Sequence, residues 1–312
     1  MGDVWAKETS GAKWLSGNII MLAQTPEHEI KTYTHPDYSA CEYKLKLNVF
    51  SFGKLKLKVP FNVIAPPVSV DKSGFCGDLN SLIEDYKGRR GLFLMLNLKA
   101  DKIDIKGKVA VGKTLPSCVF ENKFKSFDEY LKALRSSYRR RIKIALDNGK
   151  KLQVKRIKGI DFNDELYGLY LQVFSKSDFP LEKLPVSFFQ GCGCEIDVFY
   201  NENKPLAFVM YEKNGDNINF IFGGMDYASR DRYALYYNML LHIVRTGIEN
   251  EVKFINFGQT AEVTKCRIGC SLEDRFMLAF GGNGFLTYLL RVFAPLLQNN
   301  KKIIELNVFK NF

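Results

Sequence analysis

A strand, a basic turn, a helix and a second strand follow one another between residues 217 and 269, and this order constrains the fold more than any other feature. Asn217–Gly224 predicts a strand that ends in two glycines, and the turn 226–232 carries two arginines. An amphipathic helix is predicted for 233–249 and a short strand for 254–258. A strand that leads through a basic turn into a helix presents N–H groups and positive charge to a phosphate. The segment therefore predicts a site for a large phosphorylated ligand.

The net charge of the chain also favours an anionic ligand. Its 312 residues include 45 Lys and Arg against 34 Asp and Glu, a net charge of +11, and this length suits two domains. Residues 126–158 hold eleven basic and three acidic residues, so most of the excess lies in one segment. Such a local field favours an anionic partner, namely a phosphorylated cofactor, RNA or an anionic lipid surface.

The cysteines and histidines limit the chemistry that we expect. Seven scattered cysteines, with no secretory leader in Met1–Trp5, predict free thiols in a cytosolic protein. Cys192 and Cys194 form one isolated pair, and with three histidines in the chain neither a metal site nor histidine-based nucleophilic catalysis is expected. No apolar run reaches the ~20 residues that span a bilayer. We predict a cytoplasmic location, with the inner face of the membrane as the alternative.

The N-terminal part of the chain, residues 1–125, is rich in predicted strands. Glu42–Phe50 alternates apolar and polar residues, and after a turn Lys54–Val59 does the same, which predicts a hairpin. Phe61–Val70 contains two consecutive prolines and must bend or lie at a sheet edge. A helix at Leu79–Tyr86 and a strand at Leu92–Leu98 follow, so this part is predicted to be a mixed α/β layer.

A long helix is predicted for residues 126–150, between the two parts of the chain. Ser126 and Glu129 have the spacing of a capping box, and Asn148-Gly149 provides a stop. Arg139 and Arg140 belong to a cluster of basic residues on this helix. We interpret the cluster either as a solvated face or as a surface that contacts phosphate, with these two arginines as substrate contacts.

The C-terminal part, residues 151–312, is predicted to have the order β-α-α-β-β-β-α-β-α-β. Its three central strands are joined by the hairpin-length connections 201–204 and 214–216, which are rich in turn residues. The last strand of the order is predicted at Glu273–Phe280, and an apolar helix follows at Phe285–Leu297.

This order resembles the GCN5-related N-acyltransferase (GNAT) fold, and two motifs resemble its FemAB-like branch. Residues 127–134 and 138–142 look like the linking helix of that branch, in which an aromatic-acidic-leucine start leads to a basic cluster. Phe257-Gly258 followed by 265–270 looks like its closing element, a lysine and an arginine before a glycine. The resemblance implies a mixed α/β (α+β) fold with two tandem GNAT-like domains, each a twisted mixed sheet flanked by helices. The first domain would be degenerate and the second an acyltransferase.

One position departs from the family pattern. The pyrophosphate loop of many GNAT proteins reads Gln/Arg-x-x-Gly-x-Gly/Ala, and the matching turn here runs from Ser229 to Ala234 with Arg232 at the central glycine. Glycine permits close approach of backbone to phosphate, so Arg232 would hinder that approach or replace it with a charged contact. The family includes acyl-CoA users and aminoacyl-tRNA-dependent ligases, and the altered loop leaves both carriers open.

The resemblance also assigns the residues that would bind the donor. In this fold the strand before the phosphate-binding helix separates from its neighbour, and Phe222, Gly223 and Gly224 would form the edge that meets the acyl carbonyl. The glycines could alternatively mark only a bulge or tight turn. The cofactor phosphates would be met by four residues of the turn and helix start: Arg230, Arg232, Tyr233 and Ala234. The two arginines could alternatively be solvated charges, partly neutralised by Asp226 and Asp231.

Four further residues complete the predicted site. Lys265 holds the lysine position of the closing motif and is the first candidate for a catalytic residue that stabilises negative charge or orients the acyl group. The alternative is a surface lysine on a short helix. Glu262 is a candidate proton acceptor, and Tyr227 a candidate substrate contact. Arg267 would bind a carboxylate or phosphate bidentately, or cap the local helix.

Three functional hypotheses follow. The first is an N-acyltransferase that moves an acyl group from a thioester, acyl-CoA or an acyl-carrier protein, to an amine of a small molecule, peptide or envelope precursor. The second uses aminoacyl-tRNA as donor and a cell-envelope or peptide amine as acceptor, although no long heptad run for an RNA-binding arm occurs. The third is a non-catalytic protein that binds an anionic or lipid-linked ligand. Phe285–Leu297 with Lys301-Lys302 would then contact a membrane peripherally, with core packing as the alternative.

Overall fold

The computed structural model describes residues 17–25, 29–48, 50, 57–68, 70–99, 109–178, 181–301 and 306–310. The chain forms two compact units. The first comprises Met1–Leu115, Leu181–Pro185 and Asp274–Lys302, and the second comprises Pro116–Pro180, Val186–Glu273 and Ile303–Phe312. Each unit contains a mixed β-sheet flanked by helices, as the resemblance implies.

The first unit is built on a sheet of mixed strand direction. Its strands are β1 (Ile30–Thr34), β2 (Tyr38–Asn48), β3 (Lys58–Ile64), β4 (Phe75–Gly77), β5 (Leu92–Leu98), β6 (Ala110–Lys113) and β14 (Phe276–Gly281). They have the order β1-β2-β3-β5-β14-β6, with β4 paired to β2. Only β3 and β5 pair in parallel among these strands. The helices of this unit are α1 (Gly17–Ala23), α2 (Leu79–Tyr86) and α9 (Gly284–Leu297).

Several predictions for the first unit are confirmed. The helix at Leu79–Tyr86 and the strand at Leu92–Leu98 have their predicted bounds. β2 and β3 pair antiparallel, in agreement with a hairpin, but β3 runs from Lys58 to Ile64 and not over the predicted 54–59, and residues 51–56, with the predicted turn, lie outside the described residues. β3 ends at Ile64, so the chain leaves the sheet before the two prolines. A core of α2 and sheet side chains, with Tyr86, Phe93 and Phe280 at its centre, holds the unit together.

The second unit is built on another mixed sheet. Its strands are β7 (Ser117–Glu121), β8 (Gln153–Ile157), β9 (Glu195–Asn201), β10 (Lys204–Asn214), β11 (Asn217–Met225), β12 (Phe254–Asn256) and β13 (Ser271–Glu273). Their order is β13-β7-β12-β11-β10-β9-β8. The helices are α3 (Phe127–Ala133), α4 (Ser136–Gly149), α5 (Asp164–Lys176), α6 (Val186–Gly191), α7 (Leu235–Glu249) and α8 (Glu262–Arg267), with a 3₁₀ turn at Gly159–Asp161. The predicted order from the first strand of the C-terminal part through α8 is confirmed.

The predicted linking helix is two helices, not one. Ser126 caps α3 as predicted, since its side chain accepts a hydrogen bond from the Glu129 N–H. The helix stops at Leu134, which is extended and forms an antiparallel bridge with Phe309. The Arg135 N–H donates to the carbonyl of Val308 at 2.9 Å. The C-terminal segment 306–310 therefore supplies the hydrogen bonds that the interrupted helix gives up.

The division of the chain also differs from the predicted bounds at 125 and 150. β7 lies in the second sheet between β13 and β12, although it was assigned to the N-terminal part. The predicted last strand, Glu273–Phe280, is wrong as one element, because β13 ends at Glu273 and β14 joins the first sheet between β5 and β6. Phe280 of β14 stacks on Phe93 of β5 at 5.3 Å between ring centroids, which packs the late strand into the first unit.

Candidate functional site

Strands β11 and β12 separate at the place where the sequence predicts the site. They pair in parallel only from Asn217 with Phe254 to Asn219 with Asn256. Beyond this point the chain after β12 stays with β7, because Phe257 N–H donates to the Cys118 carbonyl and Cys118 N–H donates to the Gly258 carbonyl, each at 2.9 Å. β11 instead continues along β10 to Met225. We call the resulting gap the strand opening.

A β-bulge accompanies the separation. Met210 of β10 pairs with Phe222, and the next residue, Tyr211, pairs with Phe220, which leaves Ile221 without an opposite residue. A bulge bends its strand and strengthens the local twist. Phe222, Gly223 and Gly224 follow the bulge, on the part of β11 that has no strand partner on the β12 side within the described residues. This is the edge that the family resemblance assigned to the acyl carbonyl.

The two glycines of this edge are also required for packing. A Cβ at Gly223 would lie 2.5 Å from Met239 Cε of α7. A Cβ at Gly224 would lie 2.7 Å from the backbone nitrogen of Tyr170 of α5 and 2.3 Å from a ring carbon of Phe208. The glycines therefore allow α7 and α5 to approach the opposite faces of β11.

Most N–H groups of the predicted phosphate turn are bonded inside the protein. Asp226 organises the first half, since its carboxylate accepts from the Ala228 N–H at 3.3 Å and the Ser229 hydroxyl at 2.6 Å. The Tyr227 N–H donates to Gln172 Oε1 at 3.0 Å. In the second half, the N–H groups of Tyr233, Ala234 and Leu235 donate to carbonyls of the turn itself. The turn cannot offer these donors to a phosphate.

The start of α7 has its own donors. Ala234 at the N-cap has left-handed backbone angles (φ 47°, ψ 44°) and makes no side-chain capping hydrogen bond. In the described part of the chain, no hydrogen bond satisfies the N–H groups of Tyr236 and Tyr237. Unsatisfied N–H groups at a helix start attract anions. The N-terminus of α7 therefore offers two backbone N–H donors to an anion, fewer than a complete phosphate-binding loop would provide.

The two arginines of the turn differ in their environments. Arg230 pairs with Asp231 through two hydrogen bonds, of 2.8 and 3.1 Å, and stacks on Tyr227. This agrees with the alternative of a neutralised loop charge. Arg232 stacks on the buried Tyr233 and makes no ion pair with any described residue. Arg232, the residue in the place of the family glycine, is therefore the better available cation of the two.

Lys265 is buried, so the surface-lysine interpretation is wrong. Only 2% of the residue is exposed, and its Nζ donates to the carbonyls of Gln259 at 2.6 Å and Gly258 at 3.5 Å. These carbonyls belong to the loop 257–261, in which Gly258, Thr260 and Ala261 all have positive φ. A buried ammonium that binds two carbonyls of a strained loop fixes the loop against α8.

Tyr236 is a candidate residue that the sequence analysis missed. Burial raises the pKa of the Tyr236 hydroxyl, and Cys118, Cys270, Glu262 and Tyr227 raise this pKa further. Glu262 begins α8 and Tyr227 begins the turn, so both predicted site residues lie near this hydroxyl. At neutral pH Tyr236 is a neutral hydrogen-bond donor. Its position in the first turn of the helix after the basic turn is the signal that could have identified it.

The remaining predicted site residues are Arg267, Arg139 and Arg140. Among the described residues, no hydrogen bond or ion pair joins their side chains to the strand opening, the start of α7 or Lys265. Arg267 ends α8 half-buried, and neither an ion pair nor a helix-capping hydrogen bond of its side chain is seen there. Arg139 Nη1 donates to the Lys132 carbonyl at 3.4 Å, and Arg140 is exposed. The helix that carries these two arginines meets the start of α7 near Ala145, whose carbonyl accepts from Asn238.

The cysteines have no evident chemical role. All seven are free thiols. Burial raises the pKa of Cys270 well above its ordinary value, which keeps this thiol protonated and a poor nucleophile. Within the described ranges no cluster of acidic, histidine and cysteine side chains could hold a metal ion, and no helix is long and apolar enough to cross a bilayer.

A buried polar network on β8, β9, β10 and α7 was also missed. Asp197 accepts from Arg156 Nε at 2.8 Å and Tyr211 at 2.9 Å, and lies 2.9 Å from His242 Nε2. Burial alone would raise the pKa of Asp197, but the hydrogen bonds from His242, Arg156 and Tyr211 outweigh burial and hold this pKa far below its ordinary value. Asp197 therefore remains ionised and ties α7 to the sheet.

Comparisons with known proteins agree with the predicted fold. No protein-family model and no curated protein sequence matches the chain. The C-terminal domain of a proposed lysylphosphatidylglycerol synthetase from Agrobacterium fabrum is similar at a TM-score of 0.57 and 11% identity, with 95% of this chain and 94% of that chain covered. The L-PGS of Bacillus licheniformis is similar at a TM-score of 0.56 and 10% identity, with 95% of each chain covered.

FemX is similar at a TM-score of 0.54 and 13% identity, with 93% of this chain and 97% of that chain covered. The similarity to each of these proteins extends over nearly the whole chain, so it includes both units. The protein therefore shares the fold of FemX and of the lysylphosphatidylglycerol synthetase domain, with two mixed sheets flanked by helices, which agrees with the FemAB-like fold that the resemblance implied.

Proposed function

We propose that the second unit transfers an activated acyl group to an amine. The observation that supports this most strongly is the strand opening, where β11 continues beyond its pairing with β12 and leads through the turn to α7, while the chain after β12 enters the loop that Lys265 fixes. The acyl carbonyl would lie against the edge at Phe222, Gly223 and Gly224. Backbone N–H groups on this edge would stabilise the oxyanion that forms when the amine attacks.

The side chains at the opening have complementary roles in the proposed reaction. The amine nitrogen bonds to the carbonyl carbon, the carrier leaves, and the Glu262 carboxylate accepts the proton that the amine loses. Tyr236, with its raised pKa, donates a hydrogen bond to the developing negative charge. Lys265 adds positive charge and holds the loop in position.

The first candidate donor is an acyl thioester of coenzyme A or a carrier protein. Arg232 and the N–H groups of Tyr236 and Tyr237 would meet its phosphate, and Arg267 and Tyr227 would contact the substrate. Calorimetric titration with acetyl-CoA, long-chain acyl-CoAs and acyl-carrier protein tests this donor. Absence of binding to all of them would exclude it.

The second candidate donor is an aminoacyl-tRNA, and three observations favour it. The turn uses its own N–H groups internally, which weakens a pyrophosphate cradle. The helix α4 exposes Arg140, Arg141 and Lys143 to solvent. One of the structurally similar proteins is named as a lysylphosphatidylglycerol synthetase, which also supports an aminoacyl donor. Binding to charged tRNA should fall steeply with salt, and binding that is absent or insensitive to salt would exclude this donor.

A non-catalytic binding protein is the remaining alternative. Turnover with any acyl donor and amine acceptor, lost in a Lys265→Ala variant, would exclude it. Mass spectrometry of ligands that purify with the protein would identify the donor and acceptor classes to test first.

A further inference from the structure

The side chain of Asn238, near the start of α7, joins α7 to α4 and to the turn before α7. Only 8% of the residue is exposed. Its Nδ2 atom donates to the carbonyl of Ala145 on α4 at 2.8 Å, and to the carbonyls of Tyr233 and Ala234 at 2.9 and 3.3 Å. One buried amide therefore ties the basic helix to the chain that enters α7.

These hydrogen bonds support a helix start that has no capping side chain. Ala234 at the N-cap offers no side-chain oxygen to the first N–H groups of α7. If the helix were one turn longer, the Tyr237 N–H would bond to the Tyr233 carbonyl four residues earlier. Asn238 holds that carbonyl instead, and the Tyr237 N–H makes no hydrogen bond in the described part of the chain. The Asn238 amide therefore fixes where the helix begins and keeps this N–H available.

Gly149, the last residue of α4, leaves the space that this amide occupies. A Cβ at Gly149 would lie 2.4 Å from Asn238 Nδ2 and 2.6 Å from its Cγ, so any side chain here would displace the amide. The backbone of Gly149 is not in the left-handed region, which would by itself favour glycine. The close approach of the Asn238 amide therefore explains the glycine at this position.

We propose that Asn238 is a positioning residue for the donor site and that Gly149 acts through it. The inference rests on the proposed acyl transfer, because the N–H groups that Asn238 keeps in place are those that would meet the phosphate of the donor. Asn238 makes no contact with the donor itself. Its amide sets the course of the chain into α7, and its bond to Ala145 makes that course depend on the position of α4.

Hydrogen exchange in the free protein tests the positioning role without any ligand. Asn238→Ala should accelerate exchange in peptides that cover 233–237 about fivefold or more, because three carbonyls lose their buried donor. Gly149→Ala should have a similar effect, since its methyl group displaces the amide, although alanine is the better helix former. Gly168→Ala is the matched control and should exchange as the wild type does, because Gly168 lies inside α5 and a Cβ there meets no atom within 4 Å.

A double-variant cycle separates this route from ordinary destabilisation. The effect of Gly149→Ala on exchange in 233–237 should largely disappear in an Asn238→Ala background, because the amide that the methyl group displaces is already absent. Equal effects of Gly149→Ala in the two backgrounds would overturn the proposal. Exchange in 233–237 at the wild-type rate in Asn238→Ala would overturn it as well.

Donor binding gives the functional readout, with acetyl-CoA, acyl-carrier protein and aminoacyl-tRNA as probes. For each probe that binds the wild type, Asn238→Ala and Gly149→Ala should raise the dissociation constant about fivefold or more at a temperature where the variants remain folded. Asn250→Ala should not, because the Asn250 amide donates to the Thr246 carbonyl at the far end of the same helix.

The two ways in which this experiment can fail are distinguishable. Wild-type affinity in a folded Asn238→Ala variant would show that the amide does not position the donor site, and would overturn the proposal. Absence of binding of every probe to the wild type would instead count against the proposed transfer. The exchange experiment would then decide by itself whether Asn238 orders the start of α7.

Discussion

The Nζ atom of Lys265 lies 2.6 Å from the carbonyl oxygen of Gln259, and only 2% of Lys265 is exposed to solvent. The lysine therefore acts first on its own loop. Because Thr260 and Ala261 have positive φ, which side-chain-bearing residues rarely adopt, the loop 257–261 is strained and needs such an anchor. Any contribution of Lys265 to acyl transfer depends on this anchored geometry.

Replacing Lys265 with Met should loosen the loop. The substitution leaves the carbonyls of Gln259 and Gly258 without their buried donor, which should cost about 1–3 kcal/mol of unfolding free energy. Hydrogen exchange in peptides that cover 257–262 should accelerate, and turnover should fall more than the affinity for donor. The exposed Lys204→Met is the control. Unchanged exchange in the loop would contradict the anchoring role.

Tyr236→Phe and Tyr237→Phe form a matched pair of variants, each of which removes one buried hydroxyl group. Tyr236→Phe should lower the rate of transfer about tenfold or more without lowering the melting temperature, because it removes only the proposed donor to the developing charge. The Tyr237 hydroxyl is buried without a hydrogen-bond partner among the described residues. Tyr237→Phe should therefore leave activity intact and stability equal or slightly higher. Equal loss of activity in both variants would argue against a specific role of Tyr236.

The two glycines of β11 should tolerate a methyl group to different degrees. At Gly224 the added Cβ meets a fixed backbone nitrogen of Tyr170 and a ring carbon of the fully buried Phe208. At Gly223 the shortest contact is the flexible end of Met239. Gly224→Ala should lower the free energy of unfolding by about 1–3 kcal/mol, and Gly223→Ala by less. Urea denaturation measures both, and the reverse order would contradict the packing described.

The Asp197 network should make stability depend on acid pH. Because the pKa of Asp197 is lower in the folded protein than in the unfolded chain, the unfolded chain takes up a proton first as pH falls. The network then contributes fully above about pH 5, and its contribution declines progressively below about pH 4. Asp197→Asn should cost about 3 kcal/mol at pH 7. The difference between the variant and the wild type should shrink toward pH 3.

Urea denaturation at several pH values measures this difference, with the exposed Asp178→Asn as control. A difference between Asp197→Asn and wild type that stays constant from pH 7 to pH 3 would show that the charge of Asp197 does not stabilise the fold.

Local patterns in the sequence predicted local structure well. The cap at Ser126, the helix at Leu79–Tyr86 and the strand–turn–helix of the site follow from short-range spacing, and the structure confirms them. The break at Leu134 could not be predicted in this way, because the backbone hydrogen bonds on either side of it are made with Val308 and Lys310, far along the chain.

Long-range packing explains what the sequence could not predict. Three side chains from three other elements meet at Asp197, with no local pattern to mark them. The burial of Lys265 depends on how the loop 257–261 folds over it. The strand pairing of β14 is decided by β5 and β6, which lie far earlier in the chain.

Donor binding tests the central claim, that an activated acyl carrier binds at the strand opening beside the start of α7. Calorimetry should be carried out with acyl-CoAs, acyl-carrier protein and aminoacyl-tRNA on the wild type, on Arg232→Ala and on the exposed control Lys204→Ala. We predict that at least one donor binds the wild type and Lys204→Ala equally and binds Arg232→Ala about tenfold more weakly. Absence of binding to every donor, or equal binding to all three proteins, would contradict the account.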